Sequence, residues 1–262
     1  MKDFITQTIK VAGDELMKRF KTVDLQVQTK GEGINDIMTE ADLASQRVMV
    51  QAIEREYPNH HIVAEEGDYS QASVATDAPY TWFLDPLDGT LNFSSEVELF
   101  GINIGVWDNK KKQVTHAAIY LPATDELCYA EIDKGTELNE KIIHSSKQNN
   151  WKKTYGIGNI GVNQKENETK AAVSELSDGE AWCSAIASPA VTGVWLAAGR
   201  RDWYISRGSS PWDYAGPSLV MSQAGCTVTD FAGKSWQPDS GNLVVTNGSL
   251  DYEALLQKLQ SL

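Results

Sequence analysis

Four apolar, strand-like segments follow one another between residues 80 and 132, with short turns such as DNKKK and PATD between them. Their sequences are YTWFL, FGINIGVW, VTHAAIYLP and ELCYAEI. Strands joined by such short connections pair antiparallel, because a parallel pair needs a long crossover. The sequence therefore predicts a mostly antiparallel sheet in the first part of the chain, which the rest of the fold has to cover.

Helical patterns precede this sheet. Apolar residues recur at helical spacing over residues 3–20, and a second helix is predicted from about Glu40 to Tyr57, where Pro58 ends it. The segment HIVAEEG then predicts a short strand that leads into two carboxylates. Helices beside an antiparallel sheet make the first part of the chain α+β.

A polar stretch, HSSKQNNWKK at residues 144–153, is the candidate boundary between two subdomains. Helical and strand patterns alternate after it, with helices predicted at PAVTGVWLAAG and WDYAGPSLVMSQAG and strands at RDWYIS, CTVTDF and NLVVTN. We therefore predict an α+β subdomain at residues 1–150 with a mainly antiparallel sheet and the metal motifs. An α/β subdomain at residues 151–262 would add Asp213 and one wall of the substrate site.

The stretch WFLDPLDGTLNF, residues 82–93, has the order of residues that a metal site needs. A strand that runs into Asp85 places this carboxylate at the edge of the sheet, and Pro86 is predicted to end the pairing because proline has no N–H. The turn can bring Asp88 beside Asp85, with the Leu87 carbonyl directed at the same point. Mg²⁺ takes oxygen ligands of this kind. The alternative is that both aspartates are only turn or cap residues.

Gly89 and Thr90 follow directly and suit a phosphate. Gly89 permits close approach of the backbone, and Thr90 can begin a helix whose N–H groups face an anion. Other polar residues lie at strand ends or helix starts, where each could equally be a cap or a loop residue. They are Asp36, Thr39, Asp42, Glu65, Glu66 and Asp213.

The charge of the chain narrows the classes of partner. Asp and Glu number 36 against 23 Lys and Arg, a formal net charge of −13. This argues against binding to nucleic acid and to anionic membranes, although bound cations could still attract a small anionic substrate.

Three widely spaced cysteines suggest neither a disulfide framework nor a zinc site. With no signal peptide and no apolar run near 20 residues, a cytoplasmic protein is expected.

Taken together, the motifs INDIMTEAD, AEEG, DPLDGTLNF and WDYAG resemble those of the inositol monophosphatase family, from about Phe4 to Asn247. The resemblance implies a layered sandwich of α-β-α-β-α type that combines α+β and α/β parts. It also implies a Mg²⁺-dependent, lithium-sensitive phosphomonoesterase, active as a homodimer on a small-molecule phosphomonoester.

The resemblance further implies roles for individual residues. Two or three Mg²⁺ ions would be held by the side chains of Glu65, Asp85, Asp88 and Asp213 and by the backbone carbonyl of Leu87. Catalysis would involve Thr90, Asp42 and Glu65, the first two by positioning or deprotonating the attacking water. Substrate would be bound by Gly89, Thr90, Ser188, Ser206 and Arg207. Lys30 and Asp36 would belong to a mobile loop that closes on metal and substrate.

Some positions depart from the family pattern and leave the substrate open. Ser206 stands where some members have a glutamate that contacts inositol, and Arg207 follows it. The loss of a carboxylate weakens selection for a polyol hydroxyl, whereas an arginine favours a second anionic group. We expect an inositol-1-phosphate phosphatase of broadened specificity, with NADP or fructose 1,6-bisphosphate as alternative substrates.

Two readings from other classes compete with this one. A binding module that kept the fold but lost catalysis is the first. A dinucleotide-binding protein is the second, since GIGNIG at residues 156–161 spells the glycine fingerprint. The segment VNQKENETK after it is polar and poorly patterned for the helix of such a unit, so the sequence favours a simple strand and turn.

Overall fold

The computed structural model describes residues 1–22, 28–29, 37–71, 77–158 and 164–261. Seven α-helices are described in these ranges: α1 (Lys2–Met17), α2 (Glu40–Glu56), α3 (Thr90–Ser94), α4 (Gln164–Leu176), α5 (Pro189–Ala197), α6 (Pro211–Gln223) and α7 (Tyr252–Gln260). Short 3₁₀ helices span Gly67–Gln71 and Trp151–Lys153.

The described strands form three sheets. They are β1 (Gln28–Thr29), β2 (Ile37–Met38), β3 (His61–Ala64), β4 (Tyr80–Asp88), β5 (Gly101–Asp108), β6 (Gln113–Leu121), β7 (Glu126–Glu131), β8 (Gly135–Leu138), β9 (Lys141–Ile143), β10 (Tyr155–Gly158), β11 (Trp182–Ser184), β12 (Trp203–Arg207), β13 (Thr227–Thr229) and β14 (Asn242–Thr246). The large sheet has the order β3 to β9, and every pair in it except β3–β4 is antiparallel. The predicted antiparallel sheet is thus present.

The second sheet has five strands in the order β11-β10-β12-β14-β13 and is mixed. Strand β10 runs parallel to both β11 and β12, and β14 runs antiparallel to β12 and β13. The third sheet is the β1–β2 pair. The strands of the large sheet all precede residue 150 in the sequence, and the strands of the five-stranded sheet all follow it. Helices α5 and α6 pack against both sheets, so the division into two subdomains stays a prediction.

Successive side chains along a strand point to opposite faces of its sheet, and in each of the two larger sheets both faces are covered by helices. In β4, Trp82 and Leu84 pack in the core that includes α1 and α2, whereas Phe83 faces the core around α5 and α6. In β12, Tyr204 joins the central core, and Trp203 and Ile205 face the outer layer of α4 and α7. The layers are therefore α-β-α-β-α, as the resemblance implied.

Three local features differ from the sequence-based expectations. Strand β4 does not end at Asp85: the register breaks in a bulge around Pro86 and pairing resumes between Asp88 and Gly101. The polar segment after GIGNIG was expected to be too polar for a helix, but it forms part of α4. A narrow apolar face that includes Ala172 and Val173 is enough for α4 to pack in the core beside α7. The β8–β9 hairpin, β11 and α7 were not predicted.

Close packing of α6 on the large sheet requires a glycine in β5. A Cβ on Gly105 would lie 2.7 Å from the Ala215 Cβ and 2.9 Å from the Gly216 nitrogen, both in α6. Gly216 in turn lies against the Ile104 carbonyl. This contact fixes the depth at which α6, the helix that carries Asp213, rests on the sheet.

We therefore predict that Gly105→Ala destabilises the protein by about 1–3 kcal/mol, because the added methyl group has to push the backbone of α6 away. Gly158→Ala is the matched control, since its Cβ would meet only the Cys183 sulfur at 3.3 Å and a distant Trp203 carbon. Urea unfolding of both variants measures the difference. Equal midpoints for the two variants would contradict the packing argument.

Candidate metal and phosphate site

Asp85 and Asp88 lie on the bulge at the end of β4. They are 1% and 6% exposed. The Leu87 N–H donates to Asp85 Oδ1 at 3.2 Å, and the Pro86 carbonyl accepts from the Ser45 hydroxyl of α2 at 2.7 Å. The sequence predicted that a turn would bring Asp85 and Asp88 together. In the structure a bulge within β4 brings the two aspartates to the same buried region.

Gly89 is required by the backbone at this point. Its φ is +86°, in the left-handed region, and a Cβ there would lie 2.8 Å from the Leu99 carbonyl oxygen. It precedes the short helix α3, which begins at Thr90. The Thr90 hydroxyl lies 2.9 Å from the Leu87 carbonyl oxygen. Contacts of Gly89 and Thr90 with a phosphate stay a prediction.

Asp213 reaches this region from the first turn of α6. One of its oxygens, Oδ2, accepts from the Ser210 N–H at 2.7 Å, which completes a capping box. The capping interpretation of Asp213 is therefore right. It does not exclude the metal-ligand role, because Asp213 also lies close enough to Asp88 and Glu65 for their charges to raise its pKa.

Glu65 enters from the end of β3. Its N–H donates to the Leu84 carbonyl at 3.2 Å, which holds the residue beside the end of β4, and its charge raises the pKa of Asp85. The next residue, Glu66, is 3% exposed. Its backbone is fixed by Gln46 of α2 through two hydrogen bonds of 2.9 Å.

The electrostatics of these acids are dominated by burial and by one another. Burial raises the pKa of Asp85 and Asp213 well above the usual value, and the charges of the neighbouring carboxylates raise it further. The pKa of Asp88 is raised to about 7, again mainly by burial. These acids therefore favour their neutral forms as long as no cation lies among them.

Asp42 lies at the start of α2 and is fully buried. Its Oδ2 accepts from the Thr39 N–H at 2.7 Å and from the Thr39 hydroxyl at 2.6 Å, and its Oδ1 lies 3.3 Å from the Thr90 hydroxyl. Burial, partly offset by these hydrogen bonds, raises the pKa of Asp42 to about 7. The predicted Asp42–Thr90 pair is therefore present as a contact, and its catalytic role stays a prediction.

Ser188 lies at the start of α5 and contacts Asp88. The Ser188 hydroxyl donates to Asp88 Oδ2 at 2.9 Å, and the Ala190 N–H donates to the same oxygen. The hydroxyl also accepts from the Val191 N–H and so caps α5. The structure thus shows Ser188 as an anchor for Asp88, a function that the sequence did not indicate.

The remaining predicted substrate residues lie in β12. Ser206 is 1% exposed, and its hydroxyl accepts from that of Tyr214, the residue after Asp213, at 2.7 Å. Arg207 stacks its guanidinium over the Phe231 ring at 3.8 Å, on the face of β12 that α4 and α7 cover. Substrate contacts of both residues stay a prediction. Lys30 and Asp36 lie outside the described residues.

The site chemistry suits a hard cation. Four carboxylates, from the ends of β3 and β4 and the start of α6, converge there: Asp85 and Asp88 are buried, and Glu65 and Asp213 are half-buried. Among the described residues, no three acids, histidines or cysteines already surround a common point as metal ligands. Oxygen donors that repel one another when ionised are nevertheless the set that Mg²⁺ neutralises and binds.

A profile of the inositol monophosphatase family matches residues 1–262, the whole chain. The chain belongs to the inositol monophosphatase family. It is 31% identical to a Vibrio cholerae protein named Nus factor SuhB, over 99% of this chain and 96% of that one. It is 29% identical to the Thermotoga maritima fructose-1,6-bisphosphatase/inositol-1-monophosphatase, over 97% of this chain and 93% of that one.

Solved structures agree with the family assignment. The Thermotoga maritima IMPase superposes with a TM-score of 0.84 at 28% identity, covering 99% of this chain and 96% of that chain. Inositol monophosphatase from Anabaena gives a TM-score of 0.79 at 26% identity, covering 99% and 94%. In the described ranges, no helix is long and apolar enough to cross a bilayer.

The raised pKa values predict how stability depends on pH in the presence of EDTA. The pKa of Asp42 and of Asp88 rises from 3.8 to about 7 on folding, so between these values the folded state binds more protons than the unfolded state. The free energy of unfolding therefore falls as pH rises from about 4 to about 7, and this contribution then levels off. Thermal unfolding between pH 5 and pH 8 measures it.

Two comparisons make this test specific. Asp213→Asn removes one charge from the cluster, so its melting temperature should fall less with pH than that of the wild type. Asn at the exposed Asp239 is the control and should follow the wild type. A melting temperature of the wild type that rises steadily over this pH range would show that the buried acids do not repel one another as described.

Proposed function

We propose that this protein is a Mg²⁺-dependent phosphomonoesterase. The observation that carries the proposal is the convergence of Glu65, Asp85, Asp88 and Asp213 at one place in the fold, where their charges raise the pKa values of the three aspartates. Members of this family are generally metal-dependent. A cluster of acids that repel one another lowers the free energy of unfolding, so stability does not account for it. Such clusters are typical of catalytic sites.

Two or three Mg²⁺ ions would be held by these four carboxylates and by the Leu87 carbonyl. The charges of Glu65, Asp88 and Asp213 all act on Asp85, so it is the residue that could serve two ions. When bound, Mg²⁺ supplies charge neutralisation for the phosphate, acidifies the attacking water and stabilises the leaving oxygen. The number and identity of the ions are part of this proposal.

The chain itself supplies an acceptor for a proton. The Thr90 hydroxyl has one hydrogen and lies within reach of two acceptors, Asp42 Oδ1 and the Leu87 carbonyl. While it donates to either, its lone pairs remain available to accept from the attacking water. With a pKa of about 7, Asp42 can take up a proton near neutral pH, and Thr39 holds its other oxygen in place.

Inositol 1-phosphate is the substrate we propose, with broadened specificity. The support is family membership and the names of relatives, including a Synechocystis inositol-1-monophosphatase that is 29% identical over 96% of this chain and 86% of that one. Fructose 1,6-bisphosphate is the first alternative, since the Thermotoga maritima relative is named for both activities. NADP is a weaker alternative, because Arg207, the residue expected to bind a second anion, faces away from the carboxylates.

A non-catalytic role is the second candidate. The observation that favours it is the 31% identity to a relative named as a Nus factor. A function of that kind would use protein or nucleic-acid partners. The net charge of −13 opposes direct binding to nucleic acid, so a protein partner would be the better candidate.

We also propose a cytoplasmic homodimer. Trp182 is 70% exposed and Tyr155 is 57% exposed, and the two are register partners on the edge strand β11 and its neighbour β10. Exposed aromatic residues on a sheet edge favour contact with another chain. A monomer in sedimentation velocity would contradict the dimer.

The proposed cytoplasmic location is a separate point. The three cysteines are unpaired, which is compatible with a reducing compartment.

The test of the proposed function is phosphate release with and without Mg²⁺. The substrate panel holds inositol 1-phosphate, fructose 1,6-bisphosphate, NADP and 3′-phosphoadenosine 5′-phosphate. We expect Mg²⁺-dependent release, fastest from inositol 1-phosphate. Asp213→Asn should reduce turnover by at least ~100-fold because it removes a charge that is needed only when the metals and phosphate are in place. Asp42→Asn should reduce it by ~100-fold or more because it removes the proton acceptor.

Asn at Asp239 serves as the control for the loss of one negative charge and should keep full turnover. Circular dichroism and thermal unfolding establish that each variant is folded. If no substrate of the panel is hydrolysed by the wild type although Mg²⁺ binds, the phosphatase proposal loses its basis in favour of the non-catalytic role. Full turnover of folded Asp213→Asn would refute the assignment of Asp213.

A further inference from the structure

Asn103 lies directly across the sheet from the first aspartate of the site. It is the register partner of Asp85 in the β4–β5 pair, and it is fully buried. Its Nδ2 donates to Asp85 Oδ2 at 3.3 Å. A neutral amide therefore contacts one of the acids on which the site depends.

The other end of this amide is left without a partner. Asn103 Oδ1 is buried and has no hydrogen-bond partner among the described residues. An unsatisfied buried acceptor costs about 1–3 kcal/mol, a cost that an aliphatic side chain of the same size would avoid. With the amide in this orientation, its N–H faces Asp85, which suits the ionised carboxylate that a cation would bind. The Asp85 carboxylate therefore sets the orientation of the amide.

Asn103 is also kept away from any substrate. Helix α6 lies directly over it, since a Cβ on Gly216 would be 3.6 Å from the Asn103 Cβ. In the sequence it interrupts an apolar strand, Ile102-Asn103-Ile104, where a buried aliphatic residue would be the ordinary choice. A polar group in this position that cannot reach substrate can act only through the residues it contacts.

We propose that Asn103 is a positioning residue for the metal site: its amide N–H holds the carboxylate of Asp85 in the orientation that binds the cation. This hydrogen bond fixes the direction of the Asp85 carboxylate where the bulge at Pro86 begins and the regular pairing of β4 and β5 is interrupted. Unlike a lysine or arginine, the amide adds no positive charge that would compete with the cation. This inference rests on the proposed metal-dependent function.

The test is calorimetric Mg²⁺ binding to the full-length protein, together with turnover as a function of Mg²⁺ concentration. Asn103→Leu keeps the size of the side chain and removes both donors. We expect it to weaken Mg²⁺ binding by ~10–100-fold, the usual effect of losing a partner that orients a metal ligand. Turnover should recover when Mg²⁺ is raised, and the KM for inositol 1-phosphate at saturating Mg²⁺ should stay within about twofold.

Asn109→Leu is the matched control. Asn109 is also a buried asparagine of this region, 6% exposed, and its Nδ2 donates to the Ala78 carbonyl at 2.9 Å and to the Thr81 hydroxyl at 3.0 Å. Its replacement should lower the melting temperature without changing Mg²⁺ affinity, which separates general destabilisation from a positioning role. Should Asn103→Leu fail to fold, Asn103→Ser, which keeps one donor in a smaller side chain, should still show weakened Mg²⁺ binding.

The outcomes separate the two proposals. If the wild type binds Mg²⁺ and a folded Asn103→Leu or Asn103→Ser binds it equally well, the positioning role is wrong and the phosphatase proposal stands. If Asn109→Leu weakens Mg²⁺ binding as much as Asn103→Leu does, the effect is structural and the positioning role is again wrong. If the wild type binds no Mg²⁺ at all, the metal-dependent function fails and this inference fails with it.

Discussion

Repulsion between carboxylates at the junction of β3, β4 and α6 is the constraint on which the rest of the structure depends. Burial raises the pKa of Asp85, Asp88 and Asp213, and the neighbouring charges, that of Glu65 included, raise it further. An ordinary core would replace such residues with apolar ones. The fold instead brings them together, from segments as far apart in the chain as Glu65 and Asp213, and secures their positions by packing.

The support for the acids comes from groups that also build the secondary structure. Asp42 and Asp213 each complete a capping box at the start of a helix, and Ser188 caps α5 while it holds Asp88. Helix starts therefore fix the directions of these carboxylates at no extra structural cost. Gly105 then sets how closely α6 approaches the sheet, so the position of Asp213 depends on a residue that has no chemistry of its own.

This double use explains why single residues were ambiguous in the sequence. Asp213 fits a cap and a metal ligand equally well, and the structure gives it the cap together with a place among the acids. What identified the site was the combination of DPLDGTLNF with WDYAG and the two acidic motifs before them. The fold class followed from the same motifs, since their family implies the layered sandwich, and from short-range strand patterns.

Other features could not be predicted because they depend on contacts that are distant in sequence. Asn103 reads as one polar residue in an apolar strand until the register places it opposite Asp85. Arg207 looked like an anion contact, but the alternation of β12 turns it to the outer layer, beside Phe231. The bulge at Pro86 was missed because proline was expected to end pairing, whereas strand β4 resumes at Asp88.

The central claim is that cations and protons neutralise the same buried acids. Calorimetric titration of Mg²⁺ at pH 7 in two buffers of different ionisation enthalpy measures the protons released on binding, because the buffer takes them up. The account predicts net proton release in the wild type, and less release in Asp213→Asn. Mg²⁺ binding without proton release at pH 7 would contradict it, since the acids would then already be ionised before the cation arrives.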